Sequence, residues 1–329
     1  MRVLITGGSG FIGRRLARAV LRSGAVMLDD GAPWPFERLT LFDSAPAEDL
    51  PRDARIEVVT GDITDSGAVQ RVAADADVVW HLAAVVSAAA EADFDLGYQV
   101  NVDGTRLLLE ALRATGRRPR VVFASSLAVF GGEMPQVIHD GFHTTPQSSY
   151  GTQKAIGELL IADYSRKGFI DGRALRLPTI VVRPGRPNKA ASTFASSIIR
   201  EPLAGREAVC PVGPDTEIYI LSPRRVTEAL LHAMRLPDSA WGSNRTLTLA
   251  GITVTVGTMV EDLARVAGEA ARDRVRWQPD PAIQRIVASW PVRAEAQRAR
   301  RMGFTDDGSF EAILLAHIQD ELGGKVPGR

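Results

Sequence analysis

Tyr150 and Lys154 stand four residues apart in Ser148-Ser149-Tyr150-Gly151-Thr152-Gln153-Lys154, so on a helix they share one face, a turn from each other. A phenol is a poor proton carrier at neutral pH because its free pKa is about 10. An ammonium held beside it favours the tyrosinate, lowers that pKa and makes a usable acid/base. Taken alone, the spacing is also that of a half-buried Tyr beside a solvated Lys, and the rest of the chain has to decide. A hydroxyl able to hold a reacting oxygen comes from Arg120-Val121-Val122-Phe123-Ala124, a strand pattern that delivers Ser125-Ser126 at its C-terminal end. Open parallel sheets bind their ligands at that end.

The elements that must position these groups begin at the N-terminus. Arg2-Val3-Leu4-Ile5 is a short apolar run ending in Thr6-Gly7-Gly8-Ser9-Gly10-Phe11-Ile12-Gly13, and the apolar residues from Arg14 to Leu21 recur at helical spacing. In such a strand–turn–helix unit Gly7 allows the tight turn, Gly10 lets backbone approach a pyrophosphate, and Gly13 lets helix and strand pack closely. The unpaired N–H groups and partial positive charge of the helix start favour the phosphates, so the stretch points to a dinucleotide. After a longer connection holding Gly31-Ala32-Pro33-Trp34-Pro35-Phe36, the strand Leu39-Thr40-Leu41-Phe42-Asp43 ends in an acid. A carboxylate there accepts hydrogen bonds from ribose hydroxyls and repels a 2′-phosphate, which favours NAD over NADP.

Ile56-Glu57-Val58-Val59 reads as a third strand, followed by Asp62, which either faces the adenine amino group or caps the next helix. Asp77 to Ala84 reads as a fourth, whose small residues leave room for a cofactor and whose His81 reads as a satisfied core histidine. Asn101 leads into a buried helix at Arg106–Leu112 and reads as a partner of neighbouring strand backbone. The alternation predicts an α/β protein, a Rossmann doubly wound parallel sheet with a smaller C-terminal α/β substrate-binding region. The expected division is an NAD-binding domain over 1–183, with a return contribution around 215–237, and a mainly substrate-binding region over 184–329.

The 329 residues, 45% hydrophobic and 24% charged, suit a globular protein with a full core. The 39 basic and 39 acidic side chains cancel, so no bulk field recruits nucleic acid or an anionic membrane. The N-terminus reaches its glycines too early for a signal peptide, and the longest apolar run, Val78 to Ala90, falls short of the ~20 residues of a membrane span. A cytoplasmic location is expected. Cys210 is the single cysteine and reads as a small buried strand residue, so neither an intramolecular disulfide nor a metal site is expected. The Arg-rich stretch from Arg293 to Arg301 reads as a solvated helix face.

In this order the pieces resemble an extended short-chain dehydrogenase/reductase, the superfamily that includes nucleotide-sugar epimerases and dehydratases. The matching stretches are the glycine loop, Asp62-Ile63, His81-Leu82-Ala83-Ala84, Asn101-Val102-Asp103-Gly104-Thr105, Ser125 to Gly131, and Tyr150 to Lys154. The resemblance implies a catalytic triad of Ser126, Tyr150 and Lys154. It implies NAD over the strand ends, held by Gly7, Gly10, Phe11, Ile12 and Gly13, by Asp43, Asp62 and Ile63, and by Leu82, Ala83, Ala84 and Asn101. Tyr150, Lys154, Pro178 and Thr179 complete that set. It also implies a homodimer or higher homo-oligomer built through the helices that follow Asn101 and Tyr150.

Within the family, Phe142-His143-Thr144-Thr145-Pro146, Arg176 to Ile180, Arg183 to Ser192 and Ile199 to Gly205 are similar to members that oxidise the C2 hydroxyl of a four-carbon sugar acid. Thr179 stands where nucleotide-sugar epimerases carry Asn, and Ser222-Pro223-Arg224-Arg225 where extended members carry an acidic pair. Both departures weaken a nucleotide-sugar reading. An arginine suits a small carboxylate because its planar fork grips both oxygens; Arg183, Arg186, Arg224 and Arg225 are the candidates. Asn188 and Ser192 can bond substrate hydroxyls, and Ser87, Ser126, Tyr150 and Thr179 complete the expected substrate-binding set. Two rivals stay open: a nucleotide-sugar epimerase or dehydratase using the same triad, and a non-catalytic NAD sensor or scaffold.

Overall fold

In the computed structural model, which describes residues 1–47, 49–185 and 191–326, the short apolar runs line up as one seven-stranded sheet. Its order is Thr246–Thr248, Asp171–Leu177, Arg120–Ser126, Val78–His81, Arg2–Thr6, Arg38–Asp43, Ile56–Thr60. From Arg120–Ser126 across to Ile56–Thr60 every pairing is parallel. The first strand lies inside the sheet, buried in all but its first residue, which is why it reads as an unbroken apolar run. Thr6 sits level with Phe42 on one side and His81 on the other. Chain order therefore reverses between Arg2–Thr6 and Val78–His81, the switch point where such sheets open a crevice. One face buries Leu4, Val79 and Val121 against Val69, Val72, Leu108 and Leu112 of the helices Ser66–Ala73 and Gly104–Ala114.

The connection after the first helix, Phe11–Ser23, is an antiparallel hairpin of Ala25–Leu28 and Ala32–Pro35. No apolar alternation announces it, because the second strand is exposed throughout, Trp34 included. Its prolines sit on a strand with no further neighbour, where a missing N–H costs little.

The described chain divides into two compact units. The first comprises residues 1–129, 146–176 and 227–247; the second comprises 130–145, 177–226 and 248–329. The return to the first unit is thus made at 227–247, and 130–145 belongs with the second. Three donors fasten the return segment, those of Trp80 and Arg173 buried and that of Arg120 half-buried. The Trp80 indole N–H donates to Leu230 O at 3.0 Å, Arg120 to Met234 O at 2.9 Å, and Arg173 to Ala233 O and Leu236 O at 2.7 and 2.8 Å.

The second unit holds a three-stranded sheet, Ile252–Thr255, Glu217–Leu221, Thr179–Ile180, and a two-stranded one, Ala208–Cys210 with Val275–Trp277. Its core joins Phe194, Ile198 and Ile199 to Met259 and Leu263 and to Ile313 and Leu314. Cys210 is fully buried in it, as a small strand residue. Of the Arg-rich stretch only Gln297–Arg301 is helical. Among the described residues no helix is long and apolar enough to cross a membrane.

Candidate active site and cofactor cradle

The glycine loop closes on itself. Gly7 N donates to Phe42 O at 2.9 Å and Gly10 N to Gly7 O at 3.1 Å. A Cβ on Gly13 would stand 2.2 Å from Gly7 O, so only glycine lets the first helix press this close to the strand end. Gly10 caps that helix with no side-chain hydrogen bond, leaving the N–H groups of the Phe11-Ile12 turn to an outside acceptor. Leu82 N donates to Thr6 O at 3.0 Å, which brings the half-buried Leu82-Ala83-Ala84 alongside the same loop.

Asp43 ends its strand beside this loop, taking Ser9 N–H at 3.0 Å on one oxygen and Ala45 N–H at 3.2 Å on the other. With Ser9, Gly10, Arg14, Ala45 and Pro46 it lines a surface recess. Uncapped helix N–H groups, a glycine where a side chain would intrude, and a fixed carboxylate at the recess fit the pyrophosphate and ribose of NAD. Asp62 accepts Thr64 N–H at 2.9 Å in a tight turn, and the following helix is capped by Asp65, which takes Gly67 N and Ala68 N. The capping alternative for Asp62 is thereby corrected. Ile63 packs its side chain against Gly104.

His81 is a core histidine. Thr105 Oγ1 gives its proton to Asn101 O at 2.7 Å, so His81 Nε2 must donate to Thr105 Oγ1, at 2.9 Å. Nδ1 then accepts from Thr6 Oγ1 at 2.6 Å, and Thr6 in turn accepts from Ala83 N at 3.3 Å. Burial, with Lys154 as a lesser cause, pushes the imidazole down to about 3, so it stays neutral. Asn101 accepts from Val85 N at 2.8 Å and donates to Val85 O at 3.0 Å and Gln153 Oε1 at 2.7 Å. It serves backbone, as expected, though of the loop after the strand Val78–His81 and not of the strand itself; the bond to Gln153 was not foreseen.

Tyr150 and Lys154 do share a face of one helix, Ser149–Arg166, capped by Ser148 Oγ on Gly151 N and by Glu91 on Ser149 N. A Cβ on Gly151 would come within 2.0 Å of Ala128 O, so the helix start lies hard against the turn after Ser126. That contact brings together the chain segments bearing Ser126 and Tyr150. Ser126 Oγ accepts from Ala128 N at 3.1 Å. Lys154 is buried, its Nζ 5.6 Å from the Tyr150 ring centre and 4.8 Å from that of Phe123. Burial drives its pKa down to about 8, against the charge of Glu158, which raises it. An ammonium so poorly hydrated gains by stabilising a neighbouring phenolate.

One residue of this helix and its two partners escaped the sequence reading. Glu158 is buried and binds Ser125 and Arg176. Its spacing of four from Lys154 was a usable signal; nothing in the sequence linked it to the other two.

In the second unit, Arg183 and Ser192 are brought together, the guanidinium donating to Ser192 Oγ at 3.0 Å. Thr179 pairs with Ile220 in the three-stranded sheet, just after Pro178. Arg224 grips Asp320 of the same unit through two nitrogens at 2.6 and 3.1 Å. In the first unit Ser87 opens an exposed helix, Ser87–Ala92. Arg186 and Asn188 lie outside the described residues.

The sequence model of the NAD dependent epimerase/dehydratase family matches residues 3–238. The D-erythronate dehydrogenase of Cupriavidus necator is 53% identical over 97% of this chain and 98% of its own. That of Haemophilus influenzae is 44% identical over 98% of this chain and 100% of its own. A crystal structure described as the nucleoside-diphosphate-sugar epimerase from Agrobacterium tumefaciens superposes with a TM-score of 0.94 at 45% identity, covering 99% of this chain and 96% of its own.

Proposed function

The chain belongs to the NAD dependent epimerase/dehydratase family and is an NAD-using oxidoreductase, and within that family we propose that it oxidises the C2 hydroxyl of a small sugar acid, D-erythronate first among them, to the 2-oxo acid. The observation that carries the reading is the buried Lys154 ammonium set against the Tyr150 ring, in a chain 53% identical to a D-erythronate dehydrogenase. Tyr150, as phenolate, takes the proton of the C2 hydroxyl. Lys154 favours the phenolate by its charge. Ser126 donates a hydrogen bond to the same substrate oxygen. Bound there, NAD would supply the acceptor for the hydride leaving C2. The cofactor's phosphates are assigned to the N–H groups around Gly10, Phe11 and Ile12, and its ribose hydroxyls to Asp43.

The substrate carboxylate is assigned to Arg183, since Arg224 already holds a carboxylate of its own chain. Thr179, Ser192, Asn188 and Ser87 remain proposed partners of the hydroxyls. A homo-oligomer through the helices that follow Asn101 and Tyr150 is also proposed; Leu159, exposed on the second of them, supports that reading, and sedimentation would test it.

A screen of four-carbon sugar acids, with NAD reduction read optically, decides the substrate. Turnover of D-erythronate is expected. Turnover of a nucleoside-diphosphate sugar and of no acid would transfer the reading to an epimerase, as the name of the Agrobacterium protein suggests for that protein. Tyr150→Phe is expected to keep NAD binding and to lose turnover by about a hundredfold or more.

A further inference from the structure

Ser125 offers the same hydroxyl as Ser126, but it is 2% exposed and donates to Glu158 Oε1 at 2.5 Å. Glu158, itself 5% exposed, takes Arg176 Nε on that oxygen at 2.9 Å and Arg176 NH2 on the other at 2.7 Å. The three groups come from three elements: the strand that delivers Ser126, the helix that carries Tyr150 and Lys154, and the strand Asp171–Leu177. Helical geometry places Glu158 one turn beyond Lys154 and two beyond Tyr150.

A buried ion pair of this kind is weak as a stabiliser, because apolar residues of similar volume commonly do as well in a core. What it supplies is direction. The two prongs of Arg176 fix the plane of the carboxylate, and the carboxylate fixes the Ser125 hydroxyl. Side chains alternate along a strand, so holding Ser125 inward turns Ser126 the other way. The Ala128 N–H then settles Ser126 Oγ. We propose that Ser125, through Glu158 and Arg176, is a positioning residue that sets the Ser126 hydroxyl in register with Tyr150 and Lys154. The proposal rests on the triad reading of Ser126, Tyr150 and Lys154.

The test compares Ser125→Ala and Ser125→Thr with Tyr150→Phe, measuring kcat, KM for the acid, NAD affinity by tryptophan fluorescence, and melting temperature. Ser125→Ala leaves the Glu158–Arg176 pair intact, so the fold is expected to hold. Its kcat should fall by about ten- to a hundredfold, the size of effect that a displaced catalytic group produces. NAD affinity should be unchanged, and Ser125→Thr, which restores the hydroxyl, should recover most of the rate. Wild-type kcat in Ser125→Ala beside an inactive Tyr150→Phe would overturn the relay and leave the triad standing. A rate loss that follows the melting temperature and is not recovered by Thr would reduce Ser125 to a structural residue. Full activity in Tyr150→Phe would remove the triad reading and the relay with it.

Discussion

Asn101 Nδ2 donates to Gln153 Oε1 at 2.7 Å, so the side chain that clamps the backbone of Val85 is also fastened to the helix carrying Tyr150. The loop after His81 and the helix Ser149–Arg166 are thereby tied at one buried point. Asn101→Ala would leave Val85 N–H, Val85 O and the Gln153 amide without that partner. Each buried polar group so stranded costs about 1–3 kcal/mol. Only the Gln153 bond is fully buried and the two at Val85 are partly so, and we expect urea unfolding to show a loss of about 2–4 kcal/mol. A loss under half a kcal/mol would mean that the clamp is not rigid in solution.

The buried Lys154 ammonium gives a pH dependence with a definite sign. Its pKa lies near 8 in the folded protein against 10.5 ordinarily. Below pH 8 folded and unfolded chains both hold the proton, and the full penalty of burying the charge, about 3 kcal/mol, is present. Between pH 8 and 10.5 the folded protein sheds it first, and stability rises with pH. Lys154→Met should therefore abolish turnover yet stabilise the cofactor-free protein at pH 7 by up to about 3 kcal/mol. That gain should shrink as pH approaches 10.5; an equal gain at both ends, read from urea midpoints, would contradict the argument.

In the proposed reading, Asp43 selects NAD over NADP through charge as well as hydrogen bonding. Asp43→Asn keeps an acceptor for Ser9 N–H and removes the charge that repels a 2′-phosphate. The ratio of kcat/KM for NAD to that for NADP should drop by about tenfold or more, on the order of 1.4 kcal/mol. An unchanged ratio would place the selectivity elsewhere in the recess.

Arg183 and Arg224 should part company. Arg183→Ala is expected to raise KM for the acid by about ten- to a hundredfold, as for a lost hydrogen bond to a charged group, with KM for NAD unmoved. Arg224→Ala should leave both KM values alone and lower the melting temperature slightly, since its partly exposed pair with Asp320 contributes about 1 kcal/mol or less. A raised KM in Arg224→Ala alone would reverse the assignment.

Features written in local chemistry were readable before any coordinates. The glycine loop, the acid ending Leu39–Asp43, the burial of His81 and Cys210, and the shared face of Tyr150 and Lys154 each follow from neighbours in the chain. The hairpin at Ala25–Pro35 was not readable, because an exposed strand with two prolines carries no apolar rhythm. Capping by Asp65 in place of Asp62 turned on where the helix starts, the least determined feature of a helical pattern. Glu158 with Ser125 and Arg176, and Asn101 with Gln153, join residues 18 to 52 positions apart, and no local spacing encodes such contacts.

The donors that fasten the segment 227–247 bear on how the protein is made. Trp80, Arg120 and Arg173 all emerge from a ribosome long before the carbonyls of Leu230, Ala233, Met234 and Leu236 that receive them. Until then the growing chain holds the indole without that acceptor, and the two guanidinium groups with only the carboxylates of Asp29 and Asp171 beside them. A fragment ending at residue 183 keeps the glycine loop and the Tyr150 helix and still lacks those acceptors. The segment 177–226 of the second unit is synthesised in between, so the return segment closes these contacts on the Rossmann sheet only after it.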